Sequence, residues 1–279
     1  VYHADTCEPL VRAVQAGSLQ LEALARGSYP GRRLGHSALV QLSSVGFWNA
    51  AGQQDWGLDW HRNEGIELTF LETGRLPFSV EDKDYELVAN DLTITRPWQP
   101  HRVGDPHIRA GRLHWLILDV GVRRPNQSWS WPNWIILTRG DLQELTTLLR
   151  HCEQPVWRGT GEIRRCFEQI ARAVETDENG SNISRLGAYI NELFVLVLEM
   201  LRQHRIRLDQ SLSSTRRTVQ LFLGQIRDNH EQLRRPWTLR QMAEQCGLGV
   251  THFVHHCKQV YLLLIVSLTP SAMQINNLK

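Results

Sequence analysis

The stretch Trp237-Thr-Leu-Arg-Gln-Met-Ala-Glu-Gln-Cys-Gly-Leu-Gly-Val-Thr-His-Phe-Val-His-His-Cys-Lys258 decides how this chain reads. Thr238 is placed to cap a short helix with Leu239, Met242 and Ala243 inward, and Ala243 is small where a second helix must cross closely. Gly247, four residues on, supplies the positive φ at which chains commonly leave a helix. Leu248 plugs the turn. A second helix begins near Gly249 or Val250 and offers Val250, Phe253, Val254 and Cys257 for packing. Two short helices at this spacing, the second exposed for the major groove, form a helix-turn-helix.

The outward positions of that second helix are Thr251, His252, His255, His256 and Gln259, all able to reach base edges or phosphates. Arg234, Arg235 and Arg240 flank it as candidate phosphate contacts. An ordinary helical hairpin in an all-α bundle is the competing reading; charge alone leaves the two level, and the Ala243-x3-Gly247-x-Gly249 punctuation together with the local charge favours the reader of DNA. From Arg202 to Lys258 there are ten basic and four acidic side chains, a net +6, which leaves −4 for the rest of a chain whose total is +2. A basic end on a neutral-to-acidic body suits a polyanion partner at that end.

Trp237-Thr-Leu, Met242-Ala243, Gly247-Leu248-Gly249 and Phe253…Cys257-Lys258 resemble the first helix-turn-helix of the AraC family of bacterial transcription regulators. Gly249 stands where the family has a capping Ser, and Cys257 where it has an aromatic residue before the Lys. The resemblance places the base-reading residues on Thr251, Val254 and His255, with His252 and Lys258 toward the backbone. With Arg235 and Arg240 these form the expected DNA-binding set, and the partner implied is double-stranded promoter DNA. The upstream segment Val219–Ile226 matches the family's first DNA-domain helix. Beyond Lys258 the pattern departs: Tyr261-Leu-Leu-Leu-Ile-Val-Ser stands in place of a short Gly-containing turn. Leu268-Thr-Pro-Ser-Ala-Met-Gln-Ile-Asn-Asn-Leu-Lys279 resembles a shuffled entry to the family's linker helix. The family's second helix-turn-helix has no counterpart in these 279 residues, so the DNA-binding domain is expected to be incomplete, a fragment or one with an altered end.

Upstream, the period is that of strands. Ser37–Ser44, Ile66–Glu72, Leu76–Val80, Tyr85–Val88, Leu92–Thr95 and Leu113–Val120 are β-rich, with turn chemistry at Glu72-Thr73-Gly74-Arg75 and Ala89-Asn90-Asp91. Short strands at this spacing predict a barrel or sandwich. Glu67…Gly74, Asn90-Asp91-Leu92, Pro97 and His101 resemble the cupin-like sensor domain of many AraC-type regulators, over roughly residues 35–119. That resemblance implies a small polar effector, a sugar or related metabolite. Flat aromatic faces suit sugar stacking, and Trp48, Trp56, Trp60, Trp98 and Trp115 fall in this region, although tryptophans also simply fill small barrels. The candidate ligand contacts are His61, Glu67, Arg96 and His101 with Trp60 and Trp98. A metal-dependent cupin needs an HxH pair, a nearby Glu and a further His, whereas His61 has no HxH partner and no spacing links His107 or His114 to it. No metal, cofactor or catalytic residue is therefore expected.

After Gly140 the period turns helical. Asp141 is placed to cap a helix carrying Leu142, Leu145, Leu148 and Leu149; Ile163, Phe167, Ile170 and Val174 mark the next. Leu186, Ile190, Leu193, Val197 and Leu201 form a wide apolar stripe. In AraC-type proteins the helices after the barrel make the dimer contact, so the stripe is read as the face of a homodimer, with packing on the barrel of its own chain as the alternative. Residues 205–215 form the best linker candidate. The expected division is 1–155 for the sensor, 156–210 for a helical dimerisation region and 211–279 for the DNA reader. The fold class is α+β.

Composition agrees with a globular chain: 42% hydrophobic and 22% charged. The longest apolar run, Val260–Val266, is far below the ~20 residues of a membrane span. No secretory signal opens the chain, and five scattered cysteines without a CxxC pair favour reduced thiols in a cytoplasm. The sequence thus reads as a ligand-responsive transcription regulator, taken as an activator, and not an enzyme. A cupin-type metal-dependent sugar-processing enzyme, or a ligand-binding dimer that has lost DNA binding, is the alternative.

Overall fold

The computed structural model describes residues 7–268. The architecture is α+β, and the chain divides into two units near residue 210.

The first unit opens with helix α1 (Glu8–Gln15) and is built on ten strands: β1 (Gln20–Ala25), β2 (Arg32–Arg33), β3 (Leu42–Ala50), β4 (Leu58–His61), β5 (Ile66–Val80), β6 (Lys83–Val88), β7 (Asp91–Thr95), β8 (His101–Val103), β9 (Gly111–Leu118) and β10 (Val156–Arg158). One sheet runs β10-β7-β5-β9-β3-β1-β2. A second is made by β6, β8 and β4 around the far half of β5. Strand β5 belongs to both, pairing β7 and β9 through its first half and β6 and β8 through its second. The turn expected at residues 72–75 is instead a kink within this one strand. The register with β9 slips between Leu71 and Thr73, and Gly74 takes φ 92° where a Cβ would meet the Ala110 carbonyl oxygen at 2.3 Å.

The strand expected at residues 37–44 begins only at Leu42, because Leu39 and Gln41 both hold positive φ and turn the chain. The tight turn at Ala89-Asn90 does join β6 to β7, with Asn90 at φ 73°.

Three helices complete this unit: α2 (Arg139–His151), α3 (Gly161–Glu175) and α4 (Ile183–Arg202). The cap of α2 is Thr138, not Asp141; Thr138 Oγ1 accepts from Asp141 N at 3.2 Å and donates to the Asp141 carboxylate at 2.7 Å. The period-2 alternation of the strands divides the interior in two. Leu116 and Leu118 of β9, with Ile66, Leu68 and Phe70 of β5, face the helices; Leu113, Trp115 and Ile117 face the barrel interior. Leu186, Ile190, Leu193, Val197 and Leu201 lie in the first of these cores, fully buried by their own chain. The stripe read as a dimer face is therefore a core seam, with α4 packed against α3 and α2.

Helices α3 and α4 share the core of the sheet, and β10 pairs with β7. Residues 205–215 are not a free linker. Leu208 bridges to Cys152, Asp209 N donates to the His151 carbonyl at 2.8 Å, and a 3₁₀ turn follows at Gln210–Ser213.

The second unit contains α5 (Thr215–Asp228), α6 (His230–Arg234), α7 (Leu239–Gln245) and α8 (Val250–Leu268). Val219, Phe222, Ala243, Cys246, Phe253 and Val260 are its buried core, and Phe222 meets both Trp237 and Phe253 edge-on at 5.7 and 6.2 Å. No turn follows Lys258, as α8 continues to Leu268. The stretch resembling a linker-helix entry beyond Leu268, and the opening six residues, lie outside the described residues. Among the described residues no helix is long and apolar enough to cross a membrane.

Candidate functional site

Two sites emerge, one in each unit. In the first, alternation along β5 turns Glu67 and Thr69 inward while Leu68 and Phe70 turn out to the helices. The register sets Glu67 opposite Ile117 and Ile117 opposite Ser44, so these three line one wall. Trp48, Trp115, Tyr29, Asn63, His61, Leu58 and Cys7 close a cavity of about 50 Å³.

Glu67 is the polar centre. Asn63 Nδ2 donates to its Oε2 at 2.8 Å, and His101 Nε2 stands 2.8 Å from the same oxygen. His101 pairs with His61 across β8 and β4, their rings 4.2 Å apart. His101 Nδ1 lies 2.9 Å from the Gln99 carbonyl, which can only accept, so Nδ1 carries a proton. His101 Nε2 and the Glu67 carboxylate form an ion pair whenever that nitrogen carries a proton. Burial pushes the Glu67 carboxyl upward, but His101, His61 and Asn63 outweigh it and hold the group below its ordinary range. Tyr29 donates to Glu64 Oε2 at 2.6 Å and stands 3.1 Å from Asn63 Oδ1; burial and the charge of Glu64 push its hydroxyl up, keeping the phenol protonated. Ser43 Oγ donates to Glu64 Oε1 at 2.5 Å.

Of the sequence-predicted ligand residues, His61, Glu67 and His101 come together. The other three lie elsewhere, each for a physical reason. Trp60 is exposed, with the Arg102 guanidinium 5.1 Å from its ring centre. Arg96 is held by the Cys152 carbonyl at 2.7 Å and by Glu81 at 3.4 Å. Trp98 is buried in the helix-facing core, its Nε1 donating to the Val122 carbonyl at 2.8 Å. Sequence reasoning missed Tyr29, Asn63, Ser44 and Thr69. Thr69 and Ser44 follow from strand alternation, whereas Tyr29 sits in a loop that carries no signal. Among the described residues no group of three His, Cys, Asp or Glu side chains is arranged to hold a metal.

In the second unit, Thr238 caps α7 by a full capping box. Its Oγ1 accepts from Gln241 N at 3.2 Å and its N donates to Gln241 Oε1 at 3.0 Å. At the other end Gly247 takes φ 67°, with Gly247 N bonded to the Glu244 carbonyl and Leu248 N to the Ala243 carbonyl, both at 2.9 Å. This Schellman arrangement fixes the angle at which the chain enters α8. Ala243 is buried in the crossing, but Leu239, expected inward, is 56% exposed, because α7 is too short to carry two turns into a core that Met242, Ala243 and Cys246 fill.

On α8, Phe253 points into the core while Thr251, His252, His255 and Lys258 are exposed on the opposite side; Val254 is half-buried between them. Arg240 is exposed on α7 and paired with Glu244 at 3.1 Å, and Arg235 lies 4.3 Å over the Trp237 ring. The arrangement presents a short polar and cationic helix face on a rigid elbow, a shape that fits a duplex groove.

No family model matches this chain, and no curated protein matches it. Among solved structures it is similar to the AraC-like transcriptional activator CuxR, at 9% identity over 96% of this chain and 92% of that one, with a TM-score of 0.38. It is also similar to unsaturated fatty acid-bound ToxT from Vibrio cholerae strain SCE256, at 7% identity over 86% of this chain and 84% of that one, TM-score 0.41. A cupin superfamily protein from Desulfitobacterium hafniense DCB-2 is 16% identical over 36% of this chain and 77% of that one, TM-score 0.25. Likenesses this slight do not assign a family.

Proposed function

We propose that the chain is a DNA-binding transcription regulator whose barrel senses a small molecule. The observation that carries this reading is the α7–α8 elbow: a capping box, a Schellman turn and a buried Phe253 fix a helix whose opposite side presents Thr251, His252, His255 and Lys258 to solvent. In this reading Thr251, Val254 and His255 reach base edges, and His252, Lys258, Arg235 and Arg240 reach phosphates.

The effector enters the cavity around Glu67. A carboxylate in the wall, with Glu64 hydrogen-bonded nearby, favours a ligand that donates hydrogen bonds and carries no negative charge. The cavity, at about 50 Å³, is several-fold below the roughly 300–1,000 Å³ of most small-molecule sites. A small polyol or amine suits it better than a full sugar, which would have to displace the walls. Binding there shifts the chain between two arrangements that differ in DNA affinity.

The test is binding of the full chain to a mixed-sequence DNA duplex across a salt series. Affinity is expected to fall steeply as salt rises, and Lys258→Ala to reduce the logarithmic slope by about one phosphate contact. Salt-independent or absent binding removes the reading. A thermal-shift series of small polyols, amines and carboxylates, compared between the wild type and Glu67→Gln, tests the sensor.

A further inference from the structure

The carboxylate of Glu67 is satisfied on one side only. Asn63 Nδ2 at 2.8 Å, Thr95 Oγ1 at 3.4 Å and His101 Nε2 at 2.8 Å all fall on Oε2. Among the described residues no donor reaches Oε1, although Glu67 is only 9% exposed. That oxygen is not sealed in protein, and the open space that Glu67 borders is the cavity. A buried acceptor left without a donor is costly, so a ligand that supplies one is favoured there.

The other polar side chains of the wall are engaged within the protein. Asn63 gives its amide to Glu67, Tyr29 gives its hydroxyl to Glu64, Ser44 Oγ accepts from Trp115 Nε1 at 2.8 Å, and Thr69 is bonded to Thr93. Leu10, Leu58, Val103, Leu113 and Ile117 are the apolar part, beside the rings of Trp48 and Trp115. One acceptor oxygen, aromatic surface and aliphatic surface are what the cavity offers.

We infer that the cavity binds a small primary alkylammonium ion, its head on Glu67 Oε1 and its short chain among the aliphatic and indole side chains. This rests on the sensor reading above and narrows the effector to one chemical class. Donor count, charge and size select that class. An ammonium group donates from all its hydrogens and accepts nothing, so it brings no lone pair for the wall to satisfy. A polyol brings several hydroxyls, and those that face leucine, valine and isoleucine stay unpaired, at a cost. A carboxylate ligand sets a like charge against Glu67. Burial opposes the charge of Glu67, but His101, His61 and Asn63 hold its carboxyl below the ordinary range, so it meets a cation as an anion. Indole faces attract positive charge as well. Room for one water takes roughly 10–15 Å³. The cavity of about 50 Å³ therefore admits about three to five non-hydrogen atoms. Propylammonium falls inside that range and hexylammonium outside it.

The experiment titrates the full chain at pH 7 and fixed ionic strength with propylammonium chloride, propan-1-ol, sodium propionate, hexylammonium chloride and ethylene glycol. Heat is followed by calorimetry and the indole N–H signals by NMR. Propylammonium is expected to bind saturably at one site, with Kd of about 0.1–10 mM for a ligand this small, and to move the Trp48 and Trp115 signals. The other four are expected to bind at least about tenfold more weakly. Glu67→Gln is expected to weaken propylammonium by about ten- to a hundredfold, the value of a hydrogen bond to a charged group. The comparison among ligands needs no variant and decides the matter where Glu67→Gln does not fold. Propan-1-ol, propionate or hexylammonium binding as tightly as propylammonium, or no saturable binding of propylammonium, overturns the inference. Ethylene glycol binding in place of propylammonium overturns it while the sensor reading stands, and the salt series on DNA is independent of both.

Discussion

Phe253 and Thr251 lie two residues apart on α8, one buried and one exposed, and replacing each by Ala separates the two jobs of that helix. Phe253→Ala removes a side chain that is 1% exposed and sits 6.2 Å from the Phe222 ring at 74°. Truncating a buried Phe costs about 3–5 kcal/mol, of which the edge-on ring pair accounts for about 0.5–1.5 kcal/mol. Even about 3 kcal/mol changes the folded-to-unfolded ratio by more than a hundredfold, at roughly 1.4 kcal/mol per tenfold. The loss falls on a small unit whose buried core, among the described residues, is Val219, Phe222, Ala243, Cys246, Phe253 and Val260, so α5, α7 and α8 are expected to unfold together. Thr251→Ala takes nothing from that core and is expected to stay within about 0.5 kcal/mol of the wild type in stability. Its cost appears in DNA affinity instead, about 1–3 kcal/mol for a lost base contact. Hydrogen exchange over residues 215–260 reads the first effect and fluorescence anisotropy on duplex DNA the second. Unchanged exchange in Phe253→Ala, or unchanged affinity in Thr251→Ala, would refute the assignment of buried and reading faces.

Glu67→Gln is expected to remove an acid sensitivity. A carboxyl held below its ordinary range stabilises the fold above about pH 4.5, and that contribution disappears as pH falls through the folded-state value. Urea midpoints at pH 7 and pH 4 should therefore converge in the variant relative to the wild type. Leu193→Asp places a charge in a fully buried seam, and the outcome expected is an unfolded first unit by circular dichroism, not a folded monomer released from a dimer. Trp98→Phe loses the hydrogen bond to Val122 and is expected to cost about 1 kcal/mol in stability while leaving effector binding unchanged, as measured by denaturation and thermal shift.

The second unit was legible because its signals are local. Thr238, Ala243, Gly247 and Phe253 each act within one turn of their own position, and the capping box and Schellman turn need only neighbours in sequence. Leu239 misled because periodicity reports a face and not whether a helix this short has anything to bury against. In the barrel, the cupin-like motif Glu67…Gly74 with His101 pointed to two of the site residues, and the pairing of β8 with β4 set His101 beside His61. Trp98 and Arg96 escaped, since their environments depend on Val122, Glu81 and Cys152, contacts made 15 to 56 residues away along the chain. The stripe on α4 shows the same limit. Its apolar width was visible, but the stripe itself does not say whether α3 and α2 of its own chain or a second copy covers it.

The central claim is that the exposed side of α8 meets DNA. Site-specific photo-crosslinking tests it most directly: a benzophenone side chain at position 251 of the full chain, irradiated with a mixed-sequence duplex, is expected to join covalently to DNA. The same group at Ile136, an exposed position of the first unit, is expected to give none. Equal crosslinking from both positions, or none from position 251, would contradict the account.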